Sequence, residues 1–383
     1  MAFPWIRRDA GTQVGSAQRP RRNRGQRAGR EEAPRESSRD SKERLHQRLS
    51  WTVGGILILV VVGVLAAGYY EKFYRPPRVW AGKVRGVAFT MGDLVERIRV
   101  EQGLLEVGQD PQARVDLSRR PFEYLQGLLQ AEILRQEAPR LGITITEDHV
   151  DTALRARFYP DVSAGQATDP GQLDREFQNK LQIYLTRTGL SEKDYRGIVE
   201  EVLRRQALYF LLGRGIPEDM EQVEVEWIRQ EITGPVTAAE VLERLQSEDF
   251  AAVARSVGVS GGFADPSGYV GWVPRQAFPE IDRVLFGDEE TGLEALDVGE
   301  TGRPMFATDA IYIVRKLSEA ETRPLSDIMR AKVNFELVQE WEKQQLKRGS
   351  DEKWLEMKFN SELYDWVADQ VAVSASRNQQ GRR

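Results

Sequence analysis

The chain has no cysteine among its 383 residues. That excludes disulfides, thiolate metal sites, a cysteine nucleophile and any lipid attached through cysteine. Histidine is nearly absent as well. Only His46 and His149 occur, and a long apolar run lies between them. If that run spans a membrane, the two cannot meet, and a histidine pair for proton transfer or zinc binding is ruled out. A composition of 40% apolar and 30% charged residues excludes wholesale disorder and leaves material for at least one large core. The length predicts roughly two to three domains at about 150 residues each.

The net charge of −5 conceals an asymmetry. Residues 1–50 hold 13 Lys/Arg against 6 Asp/Glu, a balance of +7, so residues 51–383 carry −12. The basic part includes RPRRNRGQRAGR at 19–30 and almost no aliphatic residues, so it cannot bury enough surface to fold. We read 1–50 as a disordered basic tail. Next comes WTVGGILILVVVGVLAAGYY, Trp51 to Tyr70, without a charge. As a helix, twenty such residues span about 30 Å. This predicts a single transmembrane helix, with Trp51, Tyr69, Tyr70, Phe73 and Tyr74 as interfacial rings. The competing reading is a cleaved signal peptide ending near Leu65-Ala66-Ala67-Gly68. Residues 31–50 and 71–90 carry five Lys/Arg each, so Arg19–Arg30 decide the orientation, tail in the cytoplasm and the rest outside.

Beyond a spacer at 71–86, helix signals dominate. Thr90 with Asp93 forms a capping box ahead of Leu94, Ile98 and Leu104. Leu125, Leu128, Leu129, Ile133 and Leu134 recur at helical spacing until Gly142, a natural terminator. Thr146 opens the next helix, Gly189 closes the one after, and Ser191 with Asp194 caps another. At Gly215-Ile216-Pro217 the texture changes. Val223, Val225 and Trp227 alternate as a strand, Ala238 to Leu245 give a helix, 256–274 is turn-rich, and Phe306 to Val314 is a second strand. A long helix begins at Pro324–Ser326, a last one runs from Trp354 to Val371, and 372–383 is a polar tail.

The segments VEVEWIRQ, AAEVLERLQSEDFAAVARSVG, GYVGWVPRQAFPEIDRVLF and LDVGETGRPMFATDAIYIVRKL resemble, in order and spacing, the parvulin-type peptidyl-prolyl cis-trans isomerase domain. With helices before and after it, residues 80–370 are similar to extracytoplasmic foldases of the SurA and PrsA kind. LGITITEDHVD and GLSEKDYR resemble helix junctions of their chaperone domain. With the single transmembrane helix read from the apolar run, the resemblance implies a mainly α chaperone-like domain with an inserted small α+β parvulin-like domain. The expected segments are a helical domain at 87–216, the parvulin-like domain at 222–318, and helices at 324–371 returning to the first.

The same resemblance assigns the family's catalytic positions to Trp227, Ser260, Asp309 and Tyr312, where relatives carry histidine, Asp or Cys, Ser or Thr, and histidine. It assigns the proline seat to Val270, Ala277, Ile281 and Phe286, together with Tyr312. An extra stretch, Gly287–Glu294, interrupts the pattern. The loss of both histidines implies weak or absent isomerase activity. Rotation about an X–Pro bond faces about 18–20 kcal/mol, and a thousandfold acceleration needs about 4 kcal/mol of preference for the twisted amide. An apolar seat supplies part of that without proton transfer. The expected partners are therefore unfolded or proline-containing polypeptides, the bilayer through Trp51–Tyr70, and the secretion machinery. Nucleic acid, cofactor and metal are not expected. Two other readings stay open: an active isomerase using Tyr312 and Ser260, and a non-catalytic scaffold at the secretion apparatus. Asp288, Glu289 and Glu290 lack the alternating ligand loop of a calcium site, His149 reads as a surface residue at a helix start, and Ser260-Gly261-Gly262 reads as a turn.

Overall fold

The computed structural model describes residues 39–107, 121–160, 169–259, 262–289, 291–307, 310–358 and 360–380. The expected basic run at 19–30 lies outside them, as do Ser260 and Asp309. The chain divides into two units, Met1–Ala67 and Gly68–Arg383. Helix α1, Arg39–Tyr69, accounts for the described part of the first. Its stretch Gly54–Tyr74, extended by a π-helical turn at Tyr70–Tyr74, is long and apolar enough to cross a membrane, with mean hydropathy 1.8 and nothing buried. Tyr69 stacks on Phe73 and Tyr70 on Tyr74.

The second unit is mostly helical with two small sheets. In order it contains β1 (Trp80–Val84), β2 (Val87–Thr90), α2 (Met91–Val107), α3 (Pro121–Glu137), α4 (Glu147–Phe158), α5 (Pro170–Thr188), α6 (Glu192–Gly213) and β3 (Asp219–Gln230). There follow α7 (Ala238–Arg244), α8 (Phe250–Val257), β4 (Tyr269–Pro274), α9 (Pro279–Phe286), β5 (Met305–Phe306), β6 (Ile311–Lys316), β7 (Glu321–Pro324), α10 (Asp327–Asp351), β8 (Leu355–Met357) and α11 (Ser361–Gln380).

The helix starts follow the expected cap chemistry. Thr90 N–H donates to Asp93 Oδ2 at 2.7 Å, and Asp93 N–H donates back to Thr90 Oγ1. Ser191 caps α6 and Asp169 caps α5, and α5 ends at Gly189 with φ +72, a conformation glycine adopts without steric cost. His149 completes the box that opens α4, its Nδ1 accepting from the Thr146 N–H at 3.1 Å. It is exposed, so the one histidine after the apolar run serves a helix end.

Three expectations are corrected. The spacer at 71–86 holds a strand, because β1 pairs with β2 on one side and with β8 on the other. Small residues let β1 lie flat on α3, where Leu129 stands 3.0 Å from the Cβ position of Gly82. The turn-rich stretch 256–274 ends in β4, which pairs along β3 from Gln222 to Glu226. The helix expected from Trp354 to Val371 breaks into β8 and α11, and α11 continues into the expected polar tail.

The larger sheet has the order β4-β3-β6-β5, with β7 pairing the start of β3. All its ladders are antiparallel. β3 is central, and both its faces are covered. Val223, Val225 and Trp227 pack with Val314, α9 and the start of α10, while Ile228 and Ile313 pack on α7 and α8. Alternation of side chains along a strand therefore puts Trp227 and Arg229 on the α9–α10 face. Helix α10 joins three cores. Met329 and Val333 enter that of the sheet, Val338 enters the α3–α6 cluster, and Leu346 packs on the core around β1 and α2.

Candidate functional site

A solvent-open cleft of about 360 Å³ lies over the α9–α10 face of β3. Trp227, only 3% exposed, forms part of its lining with Phe263, Phe278, Ile281 and Tyr312. The aromatic rings meet edge to face: Phe278 is 5.0 Å from Trp227 and 5.0 Å from Phe263, and Tyr312 is 5.6 Å from Trp227. Edge-to-face packing fixes ring orientation more tightly than shape alone. Tyr312 sits directly opposite Arg229 across the β3–β6 ladder, so register alone brings both to the cleft. A second cavity of about 230 Å³ adjoins Trp227 and Arg229 on the side of Ala254, Arg255 and Asp265.

Charged groups ring the apolar lining: Arg229, Glu280, Lys332 and Glu336. Lys332 is ion-paired with Glu336 one turn along α10, and its Nζ stands 4.8 Å from the Phe278 ring centre. None of the described lining residues is a histidine, and no cluster of potential metal ligands occurs among the described residues. This lining can bind an apolar side chain and offer hydrogen bonds around it.

Below the cleft, Asp282 accepts the Gln276 N–H at 2.6 Å through Oδ2, while Oδ1 is buried without a hydrogen-bond partner. Burial pushes its carboxyl up to about 6, helped by Glu280 and Glu336 and opposed by the Gln276 hydrogen bond and Arg275. The bond it accepts holds a bent segment, since Gln276 has φ +71, a strained value for a residue with a Cβ. This bend turns Ala277 into the core and leaves Phe278, the non-helical residue before α9, to enter the cleft.

Of the residues expected from the sequence, Trp227, Ile281 and Tyr312 come together in the cleft. Ala277 is fully buried beneath it, and Val270 and Phe286 pack on the same core without lining it. Phe286 lies under the Arg275 guanidinium at 4.4 Å. Phe263, Arg229, Lys332 and Glu336 were not anticipated as site residues. Period-two spacing from Trp227 marks Arg229, but nothing local in the sequence points α10 at this cleft. In the Gly287–Glu294 stretch, Asp288 pairs with Arg283 at 3.2 Å and its backbone bridges to Leu293, so that carboxylate is already engaged.

No protein-family model and no curated protein sequence matches the chain. Solved structures similar to it include the peptidylprolyl isomerase PrsA of Bacillus anthracis. That match has 13% identity and a TM-score of 0.37, covering 62% of this chain and 99% of that one. The foldase protein PrsA of Streptococcus pneumoniae is 13% identical, with a TM-score of 0.30 and coverage of 75% and 97%. A SurA-like chaperone of Campylobacter jejuni is 12% identical, with a TM-score of 0.23 and coverage of 74% and 100%. The chain is thus similar to structures of the PrsA and SurA-like kind, the kind its sequence resembles.

Proposed function

We propose that the chain is a membrane-anchored, extracytoplasmic folding factor of the parvulin type. It binds unfolded exported polypeptides as a chaperone and has little or no isomerase activity. The observation that carries this reading is the open aromatic cleft over Trp227, with its hydrophobic floor and its lack of histidine among the described lining residues. Binding an apolar side chain there removes area from water at about 25 cal/mol per Å². Transient capture of extended segments requires no covalent step. In this arrangement α1 is the membrane anchor, the β3–β7 sheet with α7–α9 is the inserted parvulin-like domain, and α2–α6 with α10 and α11 form the chaperone-like part.

An exposed aromatic beside the cleft supports the same reading. Phe335 is 51% exposed next to Glu336 on α10, and its ring lies 5.5 Å from the Lys332 ammonium. It extends the apolar surface available to a bound chain.

The test is a pair of assays on the full chain in detergent. Suppression of aggregation of a denatured model protein is expected at stoichiometric amounts. A protease-coupled proline-peptide assay is expected to stay near the uncatalysed rate. Isomerisation far above background without any holding activity would overturn the proposal.

A further inference from the structure

Helix α10 reaches the cleft from outside the sheet. Met329 and Val333 anchor its first turns in the sheet's core, and this fixes Lys332 and Glu336 at the cleft. Both are largely withdrawn from water, with side chains 17% and 19% exposed. The Lys332 ammonium faces the Phe278 ring at 4.8 Å and the Phe335 ring at 5.5 Å. A cation withdrawn from water beside aromatic faces attracts an anion more strongly than a solvated one does. Its present partner, Glu336, follows it by four residues, the weaker order for such a pair on a helix. Arg229 supplies a second, half-buried cation on the face of β3 that carries Trp227, whereas the other acid of the lining, Glu280, is exposed.

We infer that Lys332 determines specificity: the cleft favours polypeptide segments with an acidic side chain one or two residues from the apolar one seated against Trp227, and Glu336 is the built-in competitor for that position. A client carboxylate takes over the Lys332 ammonium and releases Glu336 to water. Because one carboxylate replaces another, the selectivity is modest, about fivefold for a partly exposed pair. The inference rests on the cleft being a polypeptide site.

The experiment measures fluorescence anisotropy of three short peptides carrying an uncharged dye, binding to the full chain in detergent. They differ only in the residue before a central proline, which is Asp, Ala or Lys. The wild type is expected to bind the Asp peptide about fivefold more tightly than the Ala peptide and the Lys peptide most weakly. Lys332→Gln is expected to erase the difference between the Asp and Ala peptides, whatever it does to the affinity for the Ala peptide itself. Lys332→Arg is expected to keep the preference, and Glu336→Gln to strengthen Asp binding a further few-fold. Equal binding of the Asp and Lys peptides by the wild type, or equal weakening of all three by Lys332→Gln, overturns the inference while leaving the cleft reading intact. Failure of all three peptides to bind overturns the cleft reading and this inference with it.

Discussion

Replacing Gly268 by alanine is expected to damage the β3–β4 junction far more than the same change at Gly262, although both glycines have similar positive φ. At Gly268, with φ +89, a Cβ would lie 2.9 Å from the Trp227 carbonyl oxygen, 3.1 Å from the Ala254 Cβ and 3.3 Å from the Phe250 ring. At Gly262, with φ +86, nothing stands within 4 Å. Both substitutions incur the backbone strain of a residue forced to positive φ, about 1–3 kcal/mol. Gly268→Ala adds overpacking against a backbone atom and two core side chains, about 1–3 kcal/mol more. The Gly268 carbonyl also accepts the Trp227 N–H at 2.8 Å, so relief by shifting the loop breaks a strand bond beside the cleft. Urea unfolding followed by tryptophan emission should place Gly268→Ala about 2–6 kcal/mol below wild type and Gly262→Ala about 1–3 kcal/mol below. Hydrogen exchange at the Trp227 amide should accelerate in the first variant alone. Equal losses in the two variants, with Trp227 exchange unchanged, would refute the packing argument.

The remaining predictions concern charge and helix contact. The Asp282 carboxyl rises from 3.8 to about 6, so its contribution to stability is fully present below pH 3.8 and is lost as pH rises through 6. Asp282→Asn should therefore gain in unfolding free energy relative to wild type as pH goes from 4 to 8, by no more than ~3 kcal/mol; a gain that shrinks with rising pH would contradict the assignment. Gly103→Ala would place a Cβ 2.3 Å from the Thr188 carbonyl oxygen and drive α2 away from α5, costing about 3 kcal/mol or more, which circular dichroism melts would detect. Arg85→Ala removes the Glu137 ion pair and the stacking on Trp354 at 4.3 Å. It leaves the buried Glu137 with Arg140 alone, for an expected loss of about 2 kcal/mol in denaturant unfolding.

The parts of the fold that follow local rules were legible in the sequence. Thr90 with Asp93, Thr146, and Ser191 with Asp194 act within one turn of chain, and the helices they open begin where they indicate. Strand β1 was not legible, because WAGKV has two small residues and no apolar alternation; it is held between its hairpin partner β2 and Leu355–Met357 at the other end of the chain. Strand β4 was hidden in a glycine-rich stretch whose glycines are needed for positive φ at Gly268 and Gly271.

At the site, Trp227 and Tyr312 were expected through the family resemblance, and the ladder that pairs Arg229 with Tyr312 brings them to one face. Phe278 enters the cleft where Ala277 was expected, through the bend at Gln276 that Asp282 stabilises. Lys332 and Glu336 reach the cleft only because α10 crosses it, a tertiary placement that spacing along the chain does not encode.

Site-specific photocrosslinking tests most directly whether the cleft over Trp227 grips unstructured polypeptide. A benzophenone side chain introduced at the exposed lining position Glu280, in the full chain, is predicted to capture a denatured model protein. It should spare the same protein in its native form and lose its yield when an excess of proline-containing peptide is added. A yield no higher than that from the same probe at Asp148, on the exposed start of α4, or one indifferent to the competing peptide, would contradict the account.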